Sequence, residues 1–346
     1  MPLLKYNFIK MSIFKSEINC PICLSFEREV ISKIGRDLKE LTTVICTGCG
    51  LIHSYPIPSP AELKKFYEHD YRKIYKSCIK PNLKHVFRYA PHAISRIKYI
   101  KKYLKPHQNT LLDIGSGSGE LLYMALKSGF VAKGIEPNIG YANYSKKYLD
   151  LPVINKIYHD AELTEKSFDV VNLQDVLEHL SDPLFCLSFI NKILKKDGIL
   201  SISVPNIEFY AHSSITQFHY AHVYNFNSAT LKAMLFKAGF EILDLNNQIT
   251  TFIAKKVREP NALMKIAMIE NYELLSKAFK NQSLTNYYKT SRPYSRFFKK
   301  CYQYTYEFFS ILFIRSPKKI LDKFYKKLGA ILALLELHLE LMIFDY

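Results

Sequence analysis

A glycine-rich run in the middle of the chain is the strongest chemical signal in the sequence. Residues 111 to 120 read Leu-Leu-Asp-Ile-Gly-Ser-Gly-Ser-Gly-Glu, an apolar strand that runs into a turn and opens a helix. Glycines permit a sharp turn and let a ligand approach where a Cβ would collide, and N–H groups at the helix start face that ligand. A dinucleotide loop needs glycine where Glu120 stands, and Asp113 would repel a pyrophosphate. The run therefore predicts a pocket for a cationic ligand.

Carboxylates that follow the next predicted strands extend this pocket. Glu136 stands nineteen residues after Gly117 and ends the second strand, where a carboxylate can accept both ribose hydroxyls of an adenosine. Further on, Asp160-Ala161-Glu162 precedes the apolar run from 168 to 173, and Gln174 follows that run. The spacing predicts an adenosine-containing ligand.

Four of the seven cysteines form two Cys-x-x-Cys units, Cys20 with Cys23 and Cys46 with Cys49, and 22 residues (24 to 45) separate the units. Two such units supply four thiolates for tetrahedral Zn²⁺, with bonds of about 2.3 Å. Four thiolates close the coordination shell, so this zinc is expected to be structural. The alternative is a set of redox or adventitious cysteines. An odd cysteine count with four in tight pairs favours a reducing cytosol over a secreted disulfide framework.

Short apolar runs alternate with amphipathic stretches from Leu111 onward, which is typical of βα units and a parallel sheet. The sequence predicts an α/β, Rossmann-like domain with helices between the strands. The predicted strands are 110–114, 131–135, 153–154, 168–173, 198–204, 241–246 and 250–255.

Composition divides the chain into four segments. A cysteine-marked segment over 1–58 leads to a helical linker over 59–105, then to the α/β domain over 106–256 and a helical extension over 257–346. In the extension, Ser316 and Pro317 form a helix start, and that helix could run to Phe344. Because no window reaches about 18 uncharged apolar residues, no membrane span is predicted and the protein is expected in the cytoplasm.

Six signals in a fixed order make residues 106–256 resemble the class I S-adenosylmethionine-dependent methyltransferases. They are the glycine run, Gly-Ile-Glu-Pro at 134–137, Asp-Ala-Glu at 160–162, Phe-Asp-Val-Val at 168–171, Leu-Glu-His-Leu at 177–180 and Ala-Gly-Phe at 238–240. The resemblance implies a seven-stranded methyltransferase sheet with S-adenosylmethionine as cofactor. It places residues at the methionine part (Asp113, Gly115, Ser116, Gly117), at close helix packing (Gly119), at the ribose (Glu136), at the adenine (Asp160, Ala161) and near the sulfonium (Gln174).

Methyl transfer is an in-line displacement, for which an enzyme mainly supplies alignment and a dry site. An oxygen or carbon acceptor also needs a base, and histidine is the natural candidate near neutral pH. His179 follows the fourth predicted strand on the ligand-binding side of the sheet, and His219 and His222 follow the fifth. His179, His222 and Tyr71 are the catalytic candidates. The alternative is a hydrogen-bonded structural role for His179, His219 and His222, and a role as a core or surface aromatic residue for Tyr71.

The amino-terminal cysteines, a Pro-x-Pro stretch and the run Phe66-Tyr67-Glu68-His69-Asp70-Tyr71 are similar to the arrangement in some methyltransferases of sugar and polysaccharide pathways. That resemblance implies a small-molecule acceptor, a sugar or an intermediate of surface-glycan assembly, methylated on oxygen or carbon. A non-catalytic scaffold is disfavoured because Asp113, Gly115, Gly117 and Glu136 are intact.

The net charge of +17 raises a second hypothesis, a zinc-ribbon protein that binds nucleic acid or methylates RNA. Against it, the basic residues are spread over the whole chain and do not gather around the cysteines, and coding bias in an AT-rich genome would produce the same composition. Aromatic residues and lysines mix from Tyr302 to Phe344, and one interpretation is peripheral contact with a membrane surface that gathers a lipid-linked substrate. A dimer face or a lid are the alternatives there.

Overall fold

The structure is a computed structural model, and it describes residues 12–36, 38–69, 81–208, 217–246, 251–281, 287–311, 314 and 316–332. The strands within these ranges are β1 (Ile13–Lys15), β2 (Glu27–Ile34), β3 (Glu40–Cys46), β4 (Ile52–Ser54), β5 (Thr110–Ile114), β6 (Val131–Ile135), β7 (Val153–Ile154), β8 (Phe168–Gln174), β9 (Leu194–Ser203), β10 (Tyr224–Asn225), β11 (Phe240–Asn246) and β12 (Thr251–Lys256). The helices are α1 (Pro60–His69), α2 (Leu83–Lys101), α3 (Glu120–Lys127), α4 (Ile139–Leu149), α5 (Pro183–Ile193), α6 (Ser228–Lys237), α7 (Ile269–Lys280), α8 (Arg292–Ile311) and α9 (Pro317–Leu332), with 3-10 turns at Tyr158–Asp160 and Leu177–His179.

A seven-stranded sheet with the order β11-β12-β9-β8-β5-β6-β7 forms the centre of the α/β domain. The strand order reverses between β5 and β8, which are neighbours in the sheet although β6 and β7 come between them in sequence. In open α/β sheets, ligands bind outside the carboxyl ends of the strands at such a point. The seven-stranded Rossmann-like sheet of the sequence prediction is confirmed.

The parallel arrangement expected from the βα pattern is wrong for one strand. β12 pairs antiparallel with both β9 and β11. Only residues 247–250 connect β11 to β12, and a parallel pair needs a crossover of about a dozen residues or more. The connection is therefore long enough only for a hairpin.

Apolar side chains alternate between the two faces of this sheet, as strand geometry requires. Leu112 and Ile114 of β5 point into a core shared with α5, α6 and the four paired cysteines. Leu111 of the same strand points into the opposite core, against α2, α3 and α9. The cysteine segment and helix α9 therefore pack on opposite faces of the sheet, whereas α7 of the same extension packs on the amino-terminal sheet.

A second sheet, with the order β1-β2-β3-β4-β10, contains the amino-terminal segment. Its edge strand β10 comes from the α/β region, and Tyr224 and Asn225 pair antiparallel with His53 and Ile52 of β4. The division of the chain into four segments stays a prediction, but this sheet joins the first segment to the third.

The helical extension is held to the α/β core by polar contacts. Glu307 of α8 accepts two hydrogen bonds from the Arg88 guanidinium, at 2.7 and 2.9 Å. Asp322 of α9 accepts one from the Tyr123 hydroxyl at 2.6 Å. The predicted helix start at Pro317 is confirmed, and its predicted end at Phe344 lies outside the described residues. Among the described helices, none is long and apolar enough to cross a membrane.

Candidate functional site

The glycine loop between β5 and α3 owes its shape to left-handed backbone. Gly115, Gly117 and Gly119 have φ of +74°, +55° and +90°, which L side chains rarely adopt. A Cβ on Gly117 would meet only the Gly115 carbonyl oxygen, at 4.0 Å, so the loop presents bare backbone to open space there. A Cβ on Gly119 would lie 2.4 Å from Leu151, so this glycine allows close packing of α3, as predicted.

Glu136 lies at the end of β6 with its carboxylate anchored by backbone. One oxygen accepts from the Gly117 N–H at 2.8 Å, and the other accepts from the Asn138 N–H at 2.9 Å. The residue is buried. An ionised carboxylate offers about four lone-pair sites, so each oxygen can accept from more than one donor.

Two more carboxyl groups are buried beside the glycine loop. Asp113 precedes the loop and accepts a hydrogen bond from the Asn172 amide at 2.8 Å. Burial raises its pKa to about 7, while that hydrogen bond and the Arg96 charge oppose the shift. Glu120 follows the loop and accepts from the Ser118 hydroxyl at 2.6 Å. Together with Glu136, these residues form a group of three buried carboxyl groups, which favours a ligand with positive charge.

The other residues expected at the cofactor lie along the same sheet edge. Ser116 is buried, and its hydroxyl lies beside Gly134, where an added Cβ would meet it at 2.7 Å. Asp160 and Ala161 follow β7 in the 3-10 turn, with Ala161 buried and the Asp160 side chain 59% exposed. Gln174 ends β8 and is half-buried.

His179 lies in the 3-10 turn after β8 with its ring orientation set by the backbone. Its Nδ1 is 2.6 Å from the Ala221 carbonyl oxygen and 2.8 Å from the Tyr67 hydroxyl, which itself donates to that carbonyl at 2.9 Å. Since a carbonyl oxygen only accepts, Nδ1 carries the hydrogen. In the neutral ring, Nε2 therefore has the lone pair.

Glu178 and His222 complete a cluster with His179. A carboxylate oxygen of Glu178 and one ring nitrogen of each histidine all lie within 4.8 Å of one another. Glu178 is 1% exposed, and neither of its oxygens finds a hydrogen-bond partner among the described residues. Burial, with a smaller contribution from the Asp175 charge, raises the pKa of Glu178 well above its usual range. The catalytic candidates His179 and His222 are thus brought together.

Tyr71, the third catalytic candidate, lies outside the described residues. Four residues earlier, Tyr67 contacts His179, although the sequence analysis named it only as part of an aromatic run. The turn that carries His179 also touches the glycine loop, because Val176 fills the space a Cβ on Gly115 would need. The histidine cluster and the cofactor loop are therefore neighbours.

Helix α2 contributes a polar residue that sequence reasoning missed. Arg96 donates to the Ser201 hydroxyl at 3.3 Å, and it interacts electrostatically with Asp175 and Asp113. Burial lowers its pKa while the two carboxylates oppose that shift. The sequence placed this helix in a linker, and the available signal was a basic residue among apolar positions of α2.

The four paired cysteines form a compact buried group beside the sheet. Sγ of Cys20 lies 3.5 Å from that of Cys49, Sγ of Cys23 lies 3.4 Å from that of Cys46, and all four sulfurs are within 4.8 Å of one another. Bonds of about 2.3 Å in a tetrahedron imply sulfur separations of about 3.8 Å. The side chains therefore fit one tetrahedral metal ion.

Two buried cations accompany these sulfurs. An Arg28 Nη lies 3.6 Å from the Cys46 Sγ, and Arg28 is 1% exposed. Lys237 of α6, fully buried, reaches under the cluster from the α/β domain and donates to the Ile22 carbonyl oxygen at 3.3 Å. Positive charge at this place suits a centre of deprotonated thiols.

Comparison with known proteins bears on the α/β region. Residues 83–245 match the family model described as "Methyltransferase domain". Curated relatives include the ubiquinone biosynthesis O-methyltransferase of Histophilus somni, 27% identical over 165 residues (44% of this chain and 66% of that protein). The protein of that name from Pelagibacter ubique is 33% identical over 126 residues, which cover 32% of this chain and 52% of that protein. The chain thus spans about half to two thirds of the length of these relatives.

Solved structures give similarities at lower identity. A putative S-adenosylmethionine-dependent methyltransferase from Listeria monocytogenes is 19% identical, with 48% of this chain and all of that one covered and a TM-score of 0.39. The 1,6-didemethyltoxoflavin-N1-methyltransferase of Burkholderia thailandensis is 16% identical, with coverages of 60% and 96% and a TM-score of 0.42. Values this low carry no argument about chemistry. The family model thus identifies residues 83–245 as a methyltransferase domain, and the ordered motifs within it resemble those of the class I, S-adenosylmethionine-dependent enzymes.

Proposed function

We propose that the protein transfers a methyl group from S-adenosylmethionine to an oxygen atom of a small molecule. The observation that carries this proposal is the anchored carboxylate of Glu136 beside the bare backbone of Gly117, with Asp113 and Glu120 buried next to the same loop. Negative charge around exposed backbone suits a ligand with a sulfonium and an ammonium group.

Each residue of the pocket has a defined task in this proposal. Backbone of the glycine loop and the Asp113 carboxylate hold the methionine part, and Glu136 accepts the ribose hydroxyls. Asp160 and Ala161 border the adenine, and Gln174 lies near the sulfonium. S-adenosylmethionine supplies the methyl group and a good leaving group when it is bound.

The histidine cluster is the proposed acceptor side of the site. His179 and His222 act on the proton of the acceptor, and the Tyr67 hydroxyl and the Ala221 carbonyl fix the ring of His179. Tyr71 stays a candidate for contact with the acceptor. Because Val176 joins the cluster to the glycine loop, the acceptor oxygen can be aligned with the methyl carbon.

A sugar or an intermediate of surface-glycan assembly is the proposed acceptor, supported by the amino-terminal cysteines and the aromatic run of α1. The names of the curated relatives support oxygen over carbon as the methylated atom. The test is to incubate zinc-loaded protein with methyl-labelled S-adenosylmethionine and a fractionated bacterial extract. Label in carbohydrate or lipid is expected. Label in RNA would replace this proposal with the nucleic-acid hypothesis.

A structural zinc ion at Cys20, Cys23, Cys46 and Cys49 is part of the proposal. Support comes from the convergence of the four buried sulfurs and from the buried cations Arg28 and Lys237. All four positions of a tetrahedral ion would be filled by protein, so this zinc would take no part in methyl transfer.

Peripheral contact with an anionic membrane surface is proposed for α8. Aromatic side chains on this helix are exposed, with Phe297, Phe298 and Tyr302 at 64%, 70% and 75%. Four of its residues are basic, and its acidic residue Glu307 is paired with Arg88. An apolar and basic helix face binds lipid headgroups through both burial and charge.

A further inference from the structure

The histidine cluster has the composition of a metal site distinct from the four cysteines. Glu178, His179 and His222 each direct one ligand atom to a common volume, with all three atoms within 4.8 Å of one another. One carboxylate and two imidazoles suit first-row divalent cations such as Fe²⁺, Co²⁺ and Zn²⁺. Three protein ligands leave coordination positions open, unlike four thiolates.

The environment of Glu178 disfavours an ionised carboxylate that stands alone. Its carboxyl group is 1% exposed, and its two oxygens lack hydrogen-bond partners among the described residues. The group nearest to it in the cluster is Nε2 of His179, at 3.7 Å, and Asp175 adds negative charge. A buried carboxyl group without donors is stable when protonated, and it stays ionised when a cation is paired with it. A bound metal ion would supply that cation.

The ring of His179 is held in the tautomer that metal ligation needs. Its Nδ1–H donates to the Ala221 carbonyl oxygen, which leaves the lone pair on Nε2 toward Glu178. Metal-binding histidines typically donate their other N–H to a carbonyl or a carboxylate in this way. The His222 ring lies 4.9 Å from the His179 ring, on the segment that leads into β10.

We propose that Glu178, His179 and His222 bind one divalent cation, which ligates the acceptor oxygen beside the methyl donor. The inference rests on the proposed function and deepens it, since it assigns the acceptor class as molecules with a hydroxyl that can ligate a metal. A ligated hydroxyl loses its proton at lower pH. With the cation bound, His179 and His222 act as ligands and do not take the acceptor proton themselves. The hydroxyl proton passes to water, and the oxygen–carbon bond forms as the carbon–sulfur bond breaks.

Titration with Co²⁺ tests the site, on the full chain loaded with a single equivalent of zinc so that the four thiolates are filled and the histidine cluster is left open. One equivalent is expected to bind with weak visible absorption, and without the intense near-ultraviolet charge transfer that thiolate ligation would produce. Glu178→Gln and His222→Gln should each weaken Co²⁺ binding at least tenfold. Control variants Glu165→Gln and His107→Gln change exposed residues away from the cluster and should bind as the unaltered chain does.

S-adenosylmethionine binding, measured by calorimetry on the same samples, separates the two proposals. The cation site is overturned if Co²⁺ does not bind outside the cysteine cluster, or if Glu178→Gln and His222→Gln bind Co²⁺ as tightly as the unaltered chain. In that case, cofactor binding by the same samples would leave the methyltransferase proposal standing. If the unaltered chain does not bind S-adenosylmethionine, the proposed function is overturned. Thermal unfolding verifies that both variants fold. Because His222 is only half-buried, His222→Gln should disturb the packing less than Glu178→Gln while still removing a ligand.

Discussion

Gly115 of the cofactor loop and Val176, which precedes the turn that carries His179, lie so close together that a methyl group added to Gly115 would collide with Val176. A Cβ on Gly115 would be 2.4 Å from Cγ2 of Val176, and the φ of Gly115 is +74°. Gly115→Ala is therefore expected to push Val176 and the Leu177–His179 turn away from the loop. We expect at least tenfold weaker binding of S-adenosylmethionine, measured by calorimetry, together with a lower melting temperature.

Gly129→Ala is the matched control, because its φ is +89° and no atom lies within 4 Å of the added Cβ. Both variants carry backbone strain of about 1 kcal/mol, and only Gly115→Ala adds the collision. If Gly115→Ala and Gly129→Ala changed cofactor affinity equally, the close approach of Gly115 to Val176 would not explain the effect.

Glu136→Gln is expected to weaken S-adenosylmethionine binding. The change keeps the shape of the side chain but removes the charge that strengthens its hydrogen bonds to ribose hydroxyls, an effect of about 1.5–3 kcal/mol. The dissociation constant should rise by roughly 10- to 150-fold. Glu165→Gln, on an exposed loop, serves as the control. Unchanged affinity in Glu136→Gln would place the cofactor elsewhere.

Cofactor affinity is expected to increase with pH around neutrality. Burial raises the pKa of Asp113 to about 7, so its carboxylate is mostly protonated at pH 6 and mostly charged at pH 8. A negative carboxylate attracts the cationic ligand, so affinity should rise by up to about tenfold over this range. Calorimetry at the two pH values checks this, and Asp113→Asn in parallel corrects for titration of the cofactor itself. An equal pH dependence in Asp113→Asn would refute the role of this carboxyl group.

Cys46→Ser is expected to release zinc and to destabilise the amino-terminal sheet. The sulfur of Cys46 is fully buried between Cys23 and Arg28, so its loss opens the coordination shell next to an unbalanced cation. Bound zinc, measured by elemental analysis, should fall from one ion per chain, and the melting temperature should fall by roughly 5–10 °C, as a change of a few kcal/mol implies. Cys301→Ser, at an exposed position of α8, should change neither quantity.

The double variant Phe297→Ser with Phe298→Ser is expected to lose binding to vesicles that contain anionic lipid. The two rings are exposed on α8 and would contribute about 1.5–3 kcal/mol each if fully buried in the lipid interface. Sedimentation with phosphatidylglycerol vesicles should show at least tenfold weaker association, whereas Leu263→Ser removes an 86% exposed side chain elsewhere and should have no effect. No vesicle binding by the unaltered chain, with a dimer that the double variant loses, would assign this face to self-association.

Local patterns in the sequence predicted the strands where one periodicity dominates. The ranges 110–114, 131–135 and 153–154 agree with β5, β6 and β7 residue by residue. β9 begins at Leu194, four residues before the predicted Gly198, because Leu194 already pairs with Phe168. The strand is irregular from there to Ile199, with Asp197 at a φ of +64°, so the polar residues do bend the chain as such residues usually do. β10 has two residues, and its partner β4 lies far away in sequence, so no local pattern could indicate it.

The residues of the candidate site also divide into those that local patterns predict and those that depend on contacts distant in sequence. The residues of the glycine loop and Glu136 are brought together as predicted, because adjacent parallel strands place consecutive loops at one edge. Glu178 stood within a quoted motif, but a motif does not reveal burial, and the Leu177–His179 turn packs against β10, a contact that no spacing rule predicts. Arg96 was overlooked because the helix that carries it precedes the domain in sequence and packs on it only after folding.

The pairing of β10 with β4 has a consequence for how the chain can be divided. If the chain were cut ahead of the α/β domain, β4 would become an open edge, with unpaired N–H and carbonyl groups at Ile52 and His53. Open edges invite association with other chains, and the cut would also remove Lys237 from beneath the sulfurs. The cysteine segment therefore cannot be exchanged between enzymes as an independent unit. It should be inherited, expressed and engineered together with the loop that carries His222.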